Sequence, residues 1–206
     1  MKILPRLSFA LDPLGRLFIT RMWAISAGIF AFAGASVAFA LVYELPQLLR
    51  DGLDWGYDIV FYVMAAVLYG RGARAERAGA LALGFVMGVA GVHTIYDILD
   101  KIAVPRPIEP IVLGFSALSA AASGFIVVWL LLPFRAAQNP LIEATWLSAR
   151  NTMISTAAYA SVTLVARLAT SRMVEYGLDI FAAVLCFQAA YVIIRDATTP
   201  REGVLR

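Results

Sequence analysis

Six apolar runs follow one another along the chain, each near 20 residues long and separated by short polar or proline-containing breaks. They cover residues 22–45, 52–70, 78–99, 111–134, 146–168 and 174–194. A run of about 20 apolar residues coiled as a helix is long enough to cross the hydrocarbon core of a bilayer. Lipid offers no partner to an open backbone group, so each run is expected to be helical. The pattern predicts an all-α integral membrane protein of six transmembrane helices, with a lead-in over 1–21 and a tail over 195–206. The first run is rich in Ala, Gly and Ser, and the third carries Gly84, Gly88 and Gly91, with GFVMG as a small-xxx-small face. Such faces let helices approach closely in lipid, either within one chain or between two copies. The lead-in is basic and broken by Pro5 and Pro13, and admits a short amphipathic surface segment.

Composition agrees with the pattern. Hydrophobic residues make up 61% and charged residues 15% of the 206, and mean hydropathy is +0.79. A soluble domain sits near 45–50% apolar and about 25% charged. The formal charge of +3 is modest and fits basic loops at a membrane rather than a nucleic-acid partner. The one cysteine, Cys186, excludes an intrachain disulfide and a cysteine-built metal site. With six spans, the two ends and the loops after the second and fourth runs share a side. That side holds 11 Lys and Arg residues against 5 on the other, with Arg150 inside the fifth run. Positive charge prefers the cytoplasm, so both termini are expected there. No A-x-A-like cleavage site follows the N-terminal stretch, and the first span is expected to act as the insertion signal.

Against this apolar background the second run stands out. RDGLDWGYD places Asp51, Asp54 and Asp58 at spacings of three and four, on one stripe of a helix. A carboxylate at the centre of a membrane helix costs about 2.5–3.5 kcal/mol on insertion scales, so acids there usually bind a cation or carry protons. The fifth run is polar for a membrane helix, with Ser148, Asn151, Thr152, Ser155, Thr156 and Ser161.

The chain resembles the transmembrane domain of the cation diffusion facilitators, six-helix antiporters of divalent metals and protons, and most closely their short bacterial members. The family's second helix reads roughly A-D-A-L-[HD]-x-x-x-D, which puts Asp51 on the first acid, Asp54 on the His/Asp ligand and Asp58 on the second Asp ligand. In the fifth helix TWLSARNT is similar to V-W-L-C-S-R-N-D at Trp146, Leu147, Arg150 and Asn151, and Asp179 matches the Asp that opens the sixth helix. The likeness spans about residues 20–196. It departs at Leu147 and Asn151, which take the places of the usual fifth-helix ligand pair, and at Thr152, where the short members carry an Asp.

The resemblance implies a divalent cation as transported substrate rather than cofactor, held by Asp54 and Asp58 of the second helix and Asn151 of the fifth, with Asp51 as an entrance ligand. Thr152 or Ser155 would add a weaker hydroxyl. Four-coordinate zinc usually takes His or Cys with carboxylate. An all-oxygen set is harder and leans toward manganese, iron(II) or magnesium, so zinc, manganese, iron and cobalt stay open. Two neighbouring acids hold a proton between them when no metal is bound. Exchange of that proton for metal, with helices rocking around the site, would give proton-coupled efflux from the cytoplasm. A homodimer through the transmembrane helices is one available assembly, and no enzyme chemistry is expected.

Blander readings stand beside these. Asp54 and Asp58 would then lie near the membrane surface or pair with Arg150. Asp51, Asp179 and Glu143 would be helix caps, where an acid favours the helix dipole. His93 and Asp97, four apart on the third run, form either a packing pair, a secondary cation site or a proton relay. Asp97 and Asp100 are expected to face the membrane surface with Lys101. Trp23, Tyr43, Trp146 and Tyr176 read as interface anchors. The rival function is a degenerate relative that keeps the fold but serves as an assembly partner or sensor.

Overall fold

Pro46 and Pro140 each open a helix rather than break one. Proline suits the first helical position because the N–H it lacks would have had no intrahelical partner. The computed structural model describes residues 13–104, 110–166 and 172–199. Among these residues the chain is helix without strand: α1 (Pro13–Val42), α2 (Pro46–Leu68), α3 (Ala73–Ala103), α4 (Pro110–Leu131), α5 (Pro140–Ala166) and α6 (Arg172–Thr198). A short 3-10 turn, Leu132–Phe134, follows α4.

All six expected helices are present, but several reach further than their apolar runs. α1 already runs at Pro13, so the second half of the expected lead-in is helix whose Gly15 and Phe18 are buried. The RGARAER segment is not a loop. Only residues 69–72 turn, with Gly70 and Gly72 at φ of 76° and 100°, and α3 starts at Ala73. α5 starts at Pro140, six residues before Trp146, which therefore packs partly buried against the core instead of anchoring at a helix end.

Among the described residues, three helices are long and apolar enough to cross a membrane: Pro13–Val42, Ala73–Ala103 and Tyr176–Thr198, with mean hydropathies of 2.1, 1.7 and 2.0. Trp55–Leu68 and Leu118–Phe134 are shorter apolar stretches. The outer surface is correspondingly greasy. Phe30, Phe85, Phe125 and Trp129 are each about two-thirds exposed (68%, 69%, 66% and 65%). Apolar surface on this scale is rare on a soluble monomer and is compatible with a membrane protein.

The helices pair α1 with α2, α3 with α6, and α4 with α5, and α5 also touches α2, α3 and α6. Phe18, Met22, Leu83, Leu131, Phe134 and Leu141 are fully buried. Phe18 meets Phe134 edge-on at 5.3 Å and Tyr69 at 5.0 Å, a spacing that favours the ring quadrupoles. Arg21 stands over the Phe134 ring at 5.5 Å and donates to the Leu130 carbonyl, so this cation closes the α1–α4 seam.

The glycine face of α3 is used inside the chain. A Cβ on Gly84 would lie 2.8 Å from Ile194 Cγ1, and one on Gly91 would lie 3.1 Å from the Phe187 ring. α3 therefore sits directly on α6, and these small residues make an intramolecular seam rather than a surface left for a second copy.

Candidate cation site

Asp58 is the thirteenth of the 23 residues of α2, midway along the helix. It faces a cavity of about 160 Å³ shared by four helices. Ile29 comes from α1, Trp55, Asp58 and Tyr62 from α2, Ala120, Ser123, Gly124 and Val127 from α4, and Ala149, Thr152 and Thr156 from α5. The volume has room for a small ion together with several waters. Gly124 is what lets α4 close on α5 here, since a Cβ would lie 3.2 Å from both Met153 Cα and Thr156 Oγ1.

The aliphatic hydroxyls of this lining turn to the backbone where their bonds are seen. Ser123 donates its hydroxyl proton to the Ala120 carbonyl at 2.9 Å. Thr156 donates to the Thr152 carbonyl at 2.9 Å. A hydroxyl whose proton is engaged by the backbone offers a guest its lone pairs. Asp58 is the one charged residue of the described lining and none of these residues is basic, while Ile29, Ala120, Val127 and Ala149 make much of the wall apolar. One carboxylate with no basic residue in the described lining favours a cation over an anion.

The residues singled out in the sequence divide. Asp58 and Thr152 are brought together in the cavity. Asp51 and Asp54 lie on α2, and their side chains fall outside the described residues. Asp51 is not a cap: Leu45 is the N-cap of α2, no acid stands in its first turn, and Asp51 lies a turn further in. Asn151 is buried, but it is not among the cavity-lining residues. Its Nδ2 donates to the Leu185 carbonyl of α6 at 3.1 Å, and its Oδ1 accepts from Arg150 Nη2 at 3.3 Å. Arg150 is thus directed to Asn151, and among the described ion pairs none joins it to Asp58. Ser155 donates to the Thr152 carbonyl at 2.9 Å and does not line the cavity either.

Asp179 is also not a cap. It is the eighth residue of α6, is buried, and accepts from Lys101 Nζ at 2.8 Å. Lys101 thus reaches across to α6 instead of serving only its α3 neighbours. Tyr176, expected as an interface anchor, donates to the Lys101 carbonyl at 3.5 Å. Glu143 lies in the first turn of α5, and the cap there is Asn139, whose Oδ1 accepts from the N–H of Leu141 and Ile142 at 2.9 and 3.3 Å.

Reading the sequence for acids missed the contributions of α4, α1 and Thr156. Their signal was present as small residues at helical spacing, 120, 123 and 124, which mark the α4 face that meets α5. Among the described residues no three His, Cys, Asp or Glu side chains converge on one point. No protein-family model and no curated protein sequence matches this chain.

Proposed function

We propose that this chain is a multi-pass membrane transporter of a divalent metal cation, in which Asp58 carries the ion site and the proton that exchanges with it. The observation that supports it is the cavity: an acid midway along α2 opening onto a space that Ser123, Thr152 and Thr156 also line. Six spans with both termini in the cytoplasm and outward metal movement against inward protons complete the reading, through the likeness to the cation diffusion facilitators. Asp54, one turn before Asp58, is the second carboxylate of this proposal, and Asp51 stands one turn nearer the helix start. Thr152 and Thr156 take the part that the resemblance gave to Asn151.

The test is metal-dependent proton flux in liposomes of purified protein, across zinc, manganese, cobalt and iron(II), with Asp58→Asn beside the wild type. Flux that Asp58→Asn abolishes supports the reading. Flux that survives the substitution removes Asp58 from the site.

One observation favours the second reading, a non-transporting relative that serves as an assembly partner. Asn151 is committed to α6 and Arg150, and Leu147 packs against the core, so α5 supplies no charged ligand from the family positions. A flat response across all four metals from folded protein, with a stoichiometric partner on purification, would select it.

A further inference from the structure

The cavity beside Asp58 holds a second polar side chain of the same helix. Tyr62 stands one turn after Asp58 on α2 and lines the cavity with it. Long side chains on a helix lean back over the preceding turn, so the Tyr62 phenol covers the turn that carries Asp58. Only 3% of Tyr62 is exposed, and the Phe61 ring braces it edge-on at 5.7 Å and 71°. A buried tyrosine hydroxyl ordinarily has a hydrogen-bond partner. Among the described residues none bonds the hydroxyl of Tyr62. The hydroxyl is not sealed off either, because Arg150 Nε is the one unbonded side-chain polar atom of the described residues that water could not touch. The space it adjoins is therefore the cavity that Tyr62 lines.

What the hydroxyl meets there follows from the supply of ligands. The described lining has one carboxylate, and among the described residues no three His, Cys, Asp or Glu side chains converge. A divalent ion beside Asp58 then keeps several of its waters, and about 160 Å³ has room for them. Ions that accept such a site are the oxygen-bound, octahedral ones, which take one or two carboxylates and retain water. Four-coordinate zinc relies on nitrogen or sulfur and sheds more of its shell. Water on a divalent ion is acidified and donates strongly, so each retained water needs an acceptor. Ile29, Ala120, Val127 and Ala149 offer no side-chain acceptor. The phenol oxygen, over the turn of Asp58, is placed to accept from a water on the ion.

We propose that Tyr62 is a specificity-determining residue of the Asp58 site. Its hydroxyl accepts a hydrogen bond from a water on the cation, and the site takes an octahedral divalent ion of the manganese(II) class with part of its water shell. The inference rests on the reading of Asp58 as the ion site. Tyr62 acts through the ion's water rather than as a ligand, so it favours ions that keep that water over ions that lose it.

The experiment is a manganese(II) titration of the purified full chain in detergent micelles, with free manganese followed by electron paramagnetic resonance and zinc measured by displacement. Saturable manganese binding that Asp58→Asn loses is expected. Tyr62→Phe keeps the ring and its packing and removes one oxygen. It should weaken manganese by about tenfold or more, the scale of losing an outer-shell partner, and weaken zinc clearly less. Tyr191→Phe, on α6 and 66% exposed, should change neither. Manganese binding unchanged in Tyr62→Phe, with Asp58→Asn still losing it, overturns the role of Tyr62 alone. Equal losses for manganese and zinc mark a general loosening of the cavity and overturn that role as well. No manganese binding by the wild type, or binding that Asp58→Asn retains, overturns the reading of the site and this inference with it.

Discussion

The Lys101–Asp179 pair offers the most direct test of how the α3–α6 seam is held. Asp179 has 8% of its side chain exposed and Lys101 has 38%, and their charged atoms are 2.8 Å apart. At that separation the gross attraction is about 6 kcal/mol for an effective dielectric near 20. Two effects reduce it. Burying the carboxylate costs several kcal/mol, and solvent around the half-exposed ammonium screens the pair. A net coupling of about 1–3 kcal/mol remains. The single changes should be unequal. Lys101→Met strands a buried carboxylate and should cost about 2–3 kcal/mol, at or just under the roughly 3–5 kcal/mol of a fully buried pair because Lys101 is part-exposed. Asp179→Asn leaves an ammonium that can turn to water, and should cost about 1 kcal/mol. Lys101→Met with Asp179→Leu replaces both charges by apolar groups and should recover most of the loss. The assay is reversible unfolding in mixed micelles, followed by far-UV circular dichroism, over the full double-mutant cycle. Strictly additive losses, or a Lys101→Met cheaper than Asp179→Asn, would refute the assignment of this pair as a buried tie.

Two further changes test packing and capping. Gly84→Val should destabilise by about 1–3 kcal/mol, because a Cβ there lies 2.8 Å from Ile194 Cγ1 and 3.5 Å from the Ala190 carbonyl oxygen, and overpacked seams cost on that scale. Gly34→Ala is its control: nothing lies within 4 Å, and relief of glycine's helix penalty should gain up to about 1 kcal/mol in the same unfolding assay. Asn139→Ala should cost about 1–2 kcal/mol by removing the α5 cap. It also frees Glu76 Oε2, which accepts from Asn139 Nδ2 at 2.8 Å. Hydrogen exchange should quicken at Leu141 and Ile142, and unchanged protection there would show that the cap is supplied by another group.

The helices themselves were legible because lipid-compatible length and apolarity are properties of a window of residues. Their ends were not, because ends are decided by single side chains. Pro46 and Pro140 carry the same residue type as a breaker, and only the preceding backbone shows that each opens a helix. Glu76 looked like one charge in a basic loop. It accepts from the Gly70 N–H at 2.8 Å while its other oxygen takes Asn139, and so ties the α2–α3 turn to the start of α5. The acids of α2 were visible by their cost in an apolar run. Which α5 residues meet Asp58 was not visible, because Asn151 and Thr152 differ by one position and one position rotates the helix by about 100°. That rotation turns Asn151 to α6 and Thr152 to the cavity.

The same rotation bears on how much weight the fifth-helix departures carry. Leu147 and Asn151 lie four apart on one face, and Leu147 packs against the core while Asn151 bonds Leu185. Ala149, Thr152 and Thr156 lie on the neighbouring face that lines the cavity. The uncharged residues at 147 and 151 therefore sit on a face that this chain uses to hold α5 against its neighbours. Their lack of charge does not empty the face opposite Asp58. Under the proposed function, a site of one described carboxylate with hydroxyl oxygens would bind more weakly than a full set of acids, and a weaker site releases its ion faster at a given encounter rate. Release is half of a transport cycle, so weak ligation alone does not separate a transporter from a retired one. What would separate the two proposed readings is whether a cation exchanges with a proton across the membrane, a property of the flux of the intact bundle rather than of the count of its ligands.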